Sequence, residues 1–219
     1  MGILAKGIDQ YSRAMPAPLQ VRDNRVMKLL IFAGSTRLNS YNRRLAQFAA
    51  KLARAQGTDV TLLELGELDI PLYNADLEAR GTPADVIRLK SILTEHPAWI
   101  ICSPEYNASY TALLKNTIDW ASSPVPGDPA WSDGLKPFSG KVVGLLSASP
   151  GSLGGLRSLE HLCPLLRNLQ CWVSPKQYAL GNAGTAFDEH GQLINPAQRQ
   201  GVQAVLDQVL WAGPRLVPT

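Results

Sequence analysis

Short apolar runs that alternate with helix-spaced segments constrain this chain more than any other feature. Residues 28–33 (KLLIFA), 98–102 (AWIIC) and 141–147 (KVVGLLS) are too short for helices and nearly free of polar positions, as expected of strands buried on both faces; residues 59–65 (DVTLLEL) read as another strand. Between them the apolar period changes to 3.6. Leu45, Phe48, Ala49, Leu52 and Ala53 share one face of a helix that opens at Ser40 and ends at Gly57. Val86, Leu89, Ile92 and Leu93 mark a second helix, with Thr82 as N-cap and Pro83 as first helical residue. Three more follow: residues 112–121, a segment carrying Leu156, Leu159, Leu162, Cys163 and Leu166, and one carrying Val202, Val205, Leu206, Val209 and Leu210. A brief fifth strand is read at residues 170–173. Such alternation predicts an α/β fold, a three-layer sandwich of parallel strands joined by helical crossovers.

At 219 residues, 45% apolar and 18% charged, without an internal break in composition, the chain reads as one globular domain. Its net charge of +3 resides in residues 1–28, and the remainder balances. No basic field marks a nucleic-acid partner. No apolar run approaches the ~20 residues that span a bilayer, and no apolar signal core opens the chain, so a cytoplasmic enzyme with no membrane partner is expected. Cys102, Cys163 and Cys171 lack metal-site or CxxC spacing and read as buried, reduced thiols.

In a parallel sheet, ligands bind beyond the carboxyl ends of the strands. Three unusual loops follow three strand ends here. The first, GSTRLNSYN, supplies Gly34, Ser35, Thr36, Arg37, Ser40 and Asn42 beside a helix N-terminus. Freed N–H groups, hydroxyls and a guanidinium there make an anion cradle. Neither GxxxxGK[ST] nor GxGxxG is present, so a single terminal phosphate, as in FMN, fits better than a pyrophosphate. The second loop, SPEYNAS, places Pro104, Glu105, Tyr106 and Asn107 as a wall for a planar heterocycle, with Glu105 and Asn107 also able to fix the loop itself. Ser149, Gly151, Ser152 and Gly154 of the third loop allow close approach of a flat ring; a plain glycine turn into a helix explains them equally well. Residues 122–140, rich in Pro, Gly and Ser, read as a long loop of the kind that is often functional or mobile.

Together the three loops resemble the NADPH-dependent FMN reductase family, a flavodoxin-like group that includes quinone and chromate reductases. The matching text is Gly34-Ser35-Thr36-Arg37-x-x-Ser40-x-Asn42-Arg43, then Pro104-Glu105-Tyr106-Asn107-x-Ser109 with Leu114-Lys115-Asn116-x-x-Asp119-Trp120, then Ser149-Pro150-Gly151 with Gly154-Gly155-x-Arg157. The resemblance implies a five-stranded parallel sheet in the order 2-1-3-4-5. It puts Ser35, Arg37, Ser40 and Asn42 on the phosphate and ribityl end of FMN, and residues 104–107 with 151–154 at the isoalloxazine. It also implies electron delivery from NADPH or NADH through the flavin to a small-molecule acceptor (a quinone, free flavin, azo compound or metal oxyanion such as chromate) in a homodimer or homotetramer.

No side chain need be catalytic, because the flavin N5 carries the redox chemistry. His96, His161 and His190 read as structural, and Lys115 and Asp119 as an i, i+4 pair. The chain departs from the family where Ser109-Tyr110-Thr111-Ala112 replaces Ser-x-Pro-Gly, where Ser123 replaces an Arg, and in residues 1–26. Those read as an N-terminal extension before a domain of residues 27–219, either a mobile arm or an over-long start. The alternatives are a non-catalytic electron carrier or FMN-binding sensor, and a phosphate-binding protein without flavin.

Overall fold

A computed structural model describes residues 27–216. The expected extension, residues 1–26, lies outside the described residues. Five strands, β1 (Lys28–Ala33), β2 (Asp59–Leu63), β3 (Ala98–Cys102), β4 (Val142–Ala148) and β5 (Trp172–Leu180), form a sheet in the order β2-β1-β3-β4-β5. Every pairing is parallel. The helices are α1 (Tyr41–Ala55), α2 (Ala75–Glu78), α3 (Ala84–Glu95), α4 (Ala112–Ser122), α5 (Leu156–Asn168) and α6 (Pro196–Leu216).

Successive strand residues face opposite ways, which sorts the apolar runs into two cores. Leu29, Ile31, Ala98, Ile100 and Leu146 pack with α1 and α6. Leu30, Phe32, Trp99, Ile101 and Leu145 pack with α3, α4 and α5. This two-sided burial is why β1, β3 and β4 carry almost no polar residues. α1 stops where Gly57 takes φ +80°, and its N–H reaches back to the Arg54 carbonyl at 2.9 Å.

Three segments differ from the sequence reading. β5 runs from Trp172 to Leu180 instead of occupying residues 170–173. It is an edge strand containing Pro175 and Lys176, and its pairing with β4 shifts register between Val143 and Leu145, so the two-residue period is lost. Gln208 of α6 compensates by accepting from Ser174 Oγ at 2.7 Å and Lys176 N–H at 2.8 Å. α3 opens one residue late, with Pro83 in the cap position and extended (ψ 143°), leaving Thr82 Oγ1 buried without a hydrogen-bond partner among the described residues. Residues 122–140 fold back on the core: Trp131 and Phe138 are buried, and Lys90 Nζ donates to the carbonyls of Ala121 (2.9 Å) and Ser123 (2.5 Å).

α1 follows β1 on one face of the sheet and α4 follows β3 on the other. The loops after these adjacent strands therefore diverge, and a crevice opens between them at the carboxyl edge.

Candidate functional site

A cleft of about 180 Å³ lies at that crevice. Ser35, Arg37, Ser40 and Asn42 line it from the first loop, Pro104, Glu105 and Tyr106 from the second, and Ser149 from the third. Pro150, quoted above only as part of the Ser149-Pro150-Gly151 motif, lines it as well, and two further residues, Tyr41 and Ala148, were not among the expected ones. Their signal was position alone, since Tyr41 opens the first helix and Ala148 closes a buried strand. Gly34, Thr36, Asn107, Gly151, Ser152 and Gly154 belong to the same loops without lining the cleft.

In the first loop, Gly34 N–H bonds to the Cys102 carbonyl at 2.9 Å, and its carbonyl accepts from Thr111 Oγ1 at 2.8 Å. A side chain at Gly34 would press on Thr111 and Leu114. Thr111 also caps α4 by accepting from Leu114 N–H at 3.2 Å, so the first and second loops are tied at their bases. Ser40 caps α1 through a long 3.5 Å bond from Arg43 N–H. The N–H groups of Ser35, Thr36, Arg37, Tyr41 and Asn42 make no hydrogen bond among the described residues. Arg43 is paired with Glu64 at 2.9 Å, whereas Arg37 is exposed, rests over the Tyr41 ring at 5.6 Å and has no ion pair among the described residues. Free N–H donors, a helix N-terminus without an acidic residue in its first turn, and an uncommitted guanidinium form a site for a small anion.

Asn42 serves a different end. Its buried side-chain amide donates to the Ala148 carbonyl at 2.8 Å and accepts from the Ala148 N–H at 2.9 Å, fastening α1 to the end of β4. One amide N–H remains for a ligand.

The second loop closes in a two-residue turn. Tyr106 and Ser109 exchange backbone bonds of 2.9 and 3.0 Å around Asn107 (φ 50°) and Ala108 (φ 63°), the signature of a type I′ turn. Tyr106 projects 57% exposed at the cleft. Glu105 accepts from Arg157 N–H at 3.0 Å and Nε at 2.7 Å, which caps α5.

Gly154 and Gly155 have φ of +65° and +91°; side chains there would collide with the backbone of Ala179 and with Ser147. Those two glycines serve internal packing. Gly151 alone among the third-loop glycines is open, with only Ser149 Oγ at 3.7 Å from where a Cβ would sit. His96 is buried between Ile92 and Thr61, His190 sits on the surface, and Lys115 pairs with Asp119 at 2.7 Å as their spacing predicts.

Comparison with known proteins identifies the family. The family model for NADPH-dependent FMN reductase matches residues 27–185. A quinone reductase of Pseudomonas putida is 34% identical over 187 residues, covering 84% of this chain and 94% of its own. An NAD(P)H:quinone oxidoreductase of Solanum tuberosum is 35% identical over 188 residues, covering 83% and 90%. Among solved structures, the flavoenzyme FerB, an NAD(P)H:(acceptor) oxidoreductase of Paracoccus denitrificans, matches with a TM-score of 0.72 and 28% identity over 86% of this chain and 100% of its own. Because the matched span takes in all five strands and the three cleft loops, the chain belongs to the NADPH-dependent FMN reductase family.

Proposed function

We propose that residues 27–219 form an FMN-dependent NAD(P)H oxidoreductase that reduces a quinone or a related small acceptor: a flavin, an azo compound or a metal oxyanion such as chromate. The observation that carries this reading is the donor set after β1. A phosphate monoester brings three acceptor oxygens and a charge of about −1.5 to −2 at neutral pH. The N–H groups of Ser35, Thr36, Arg37, Tyr41 and Asn42 and the Arg37 guanidinium, none of them paired among the described residues, suit that group together with the Ser35 and Ser40 hydroxyls. FMN therefore fits the residues present, with its phosphate at Ser35, Thr36, Arg37 and Ser40.

When bound, FMN supplies the redox chemistry, taking a hydride equivalent from NADPH or NADH and releasing two electrons to the acceptor. The protein's residues bind and orient. Pro104 and Tyr106 would offer one wall for the ring and Ser149 the other, with Asn107, Gly151 and Ser152 next to them in the same loops. Asn42 holds the phosphate end in register with the third loop through Ala148. Glu105 is committed to α5 and acts on the wall indirectly. Exposed Leu38, Leu153 and Leu156 around these loops support an apolar acceptor and association into a homodimer or homotetramer. The free thiols of Cys102, Cys163 and Cys171 support a cytoplasmic setting. Among the described residues no helix is long and apolar enough to cross a membrane.

Titration with FMN should give a one-to-one yellow complex, bleached anaerobically by NADPH or NADH and recoloured by a quinone. A chain that takes up no FMN, or whose bound flavin keeps its colour under excess reduced nicotinamide, overturns the reading. Light scattering that returns a monomer removes the assembly.

A further inference from the structure

The turn after β3 is strained between two anchor points on α5. Both of its central residues have left-handed φ, 50° at Asn107 and 63° at Ala108. Asn tolerates that conformation, but the Cβ of Ala crowds the following carbonyl. Asn-Gly is the favoured pair for such a turn, and this chain has Asn-Ala. A conformation of this kind persists only where its surroundings over-determine it.

The surroundings are specific. Before the turn, the Glu105 carboxylate accepts from Arg157 N–H and Nε at 3.0 and 2.7 Å. At its end, Ser109 Oγ lies 3.1 Å from His161 Nδ1. Arg157 and His161 are four residues apart on α5, so the helix presents both on one face. The Arg157 contact fixes only the entry to the turn. Loss of the second contact would leave the left-handed Ala108 held only by the Tyr106–Ser109 backbone pair.

We propose that His161 is a positioning residue: with Arg157 it clamps the turn of residues 105–109, so that Tyr106 meets the ligand in the cleft in one fixed geometry. The inference rests on the functional reading above, since Tyr106 borders a flavin only if FMN binds.

Two readouts on the full chain test it. In flavin-free protein, His161→Ala should speed amide hydrogen exchange at Tyr106 and Ser109; in the holoprotein it should weaken FMN binding by roughly fivefold, the size of one net hydrogen bond. Its thermal midpoint should stay near wild type, because His161 is exposed. His161→Asn, whose amide can stand where Nδ1 stood, should restore both readouts. Adding Ala108→Gly to His161→Ala should restore FMN affinity too, because glycine holds the turn unaided. Wild-type exchange and affinity in His161→Ala would overturn the clamp, as would a loss that neither second change recovers. A wild-type chain that takes up no FMN defeats the proposed function instead, and the exchange comparison then judges the clamp alone.

Discussion

The loop after β1 leaves the N–H groups of Ser35, Thr36 and Arg37 without a hydrogen bond among the described residues, whereas the loop after β4 takes up three of its own internally. Ser149 N–H goes to the Leu180 carbonyl at 3.1 Å, Gly151 N–H to Ser149 Oγ at 3.2 Å and Gly154 N–H to the Gly151 carbonyl at 3.2 Å. Two helix N-termini lie at the same sheet edge with opposite electrostatic states. α5 already has a carboxylate, Glu105, at its first turn; α1 has none, and Arg37 beside it is unpaired among the described residues. A positive helix end attracts a ligand anion only where no protein carboxylate has taken its place. Glycine count would favour the loop after β4, three against one; the electrostatic state of the helix end favours the loop after β1.

The sharpest way to break the comparison is to add a methyl group in the third loop. Gly155→Ala combines a φ of +91° with a collision against buried Ser147, and it should cost about 3 kcal/mol, lowering the thermal midpoint by roughly 10 °C. Gly151→Ala meets only Ser149 Oγ at 3.7 Å and should leave stability within about 0.5 kcal/mol of wild type. Differential scanning calorimetry on the pair decides the matter: equal losses would mean that the loop is not held by the packing described. If Gly151 faces the flavin ring, its variant should instead weaken FMN binding at unchanged stability.

In the first loop the effect should fall on ligand and not on fold. Arg37→Ala should weaken FMN binding about thirtyfold, equivalent to ~2 kcal/mol, and leave the unfolding of flavin-free protein unchanged, because Arg37 is exposed and unpaired among the described residues. Isothermal titration at two ionic strengths is the measurement. Wild-type affinity should fall with added salt more steeply than that of the variant. Equal affinities would move the anion site elsewhere.

What the sequence made legible follows the same division. β1, β3 and β4 could be read because burial on both faces leaves no choice but apolar residues. β5 could not, because an edge strand with Pro175 and a shifted register has no period to detect. Ser35, Arg37 and Ser40 were legible as cleft residues because parallel topology places every strand end at one edge. The bond from Asn42 to Ala148 spans 106 residues and that from Glu105 to Arg157 spans 52; no local pattern encodes either. Residues 122–140 looked like a functional loop by composition, yet Trp131, Phe138 and Lys90 hold them as packing.

That last region yields the smallest expected effect and extends the comparison to cations. Arg37 is exposed and awaits an anion; Lys90 and Lys141 are buried and bonded to carbonyls, Lys141 to Thr94 at 2.6 Å. Burial lowers each lysine from 10.5 to about 8, partly offset at Lys90 by Glu78 and at Lys141 by Cys171. Between pH 8 and 10.5 the folded chain thus binds fewer protons at these sites than the unfolded chain, so their contribution to stability rises with pH across that window. Burial pushes the thiols of Cys102 and Cys171 upward, Cys171 to about 12, so the unfolded chain loses those protons first and stability falls again above about pH 9. From pH 8 to 9 the lysines should dominate, raising the thermal midpoint by roughly 2 °C. Lys90→Met deprives the Ala121 and Ser123 carbonyls of their donor and lowers stability at every pH, but it should also flatten the rise. An unflattened slope in that variant would mean that Lys90 keeps its proton in the folded chain well above pH 8, leaving burial without the cost assigned to it.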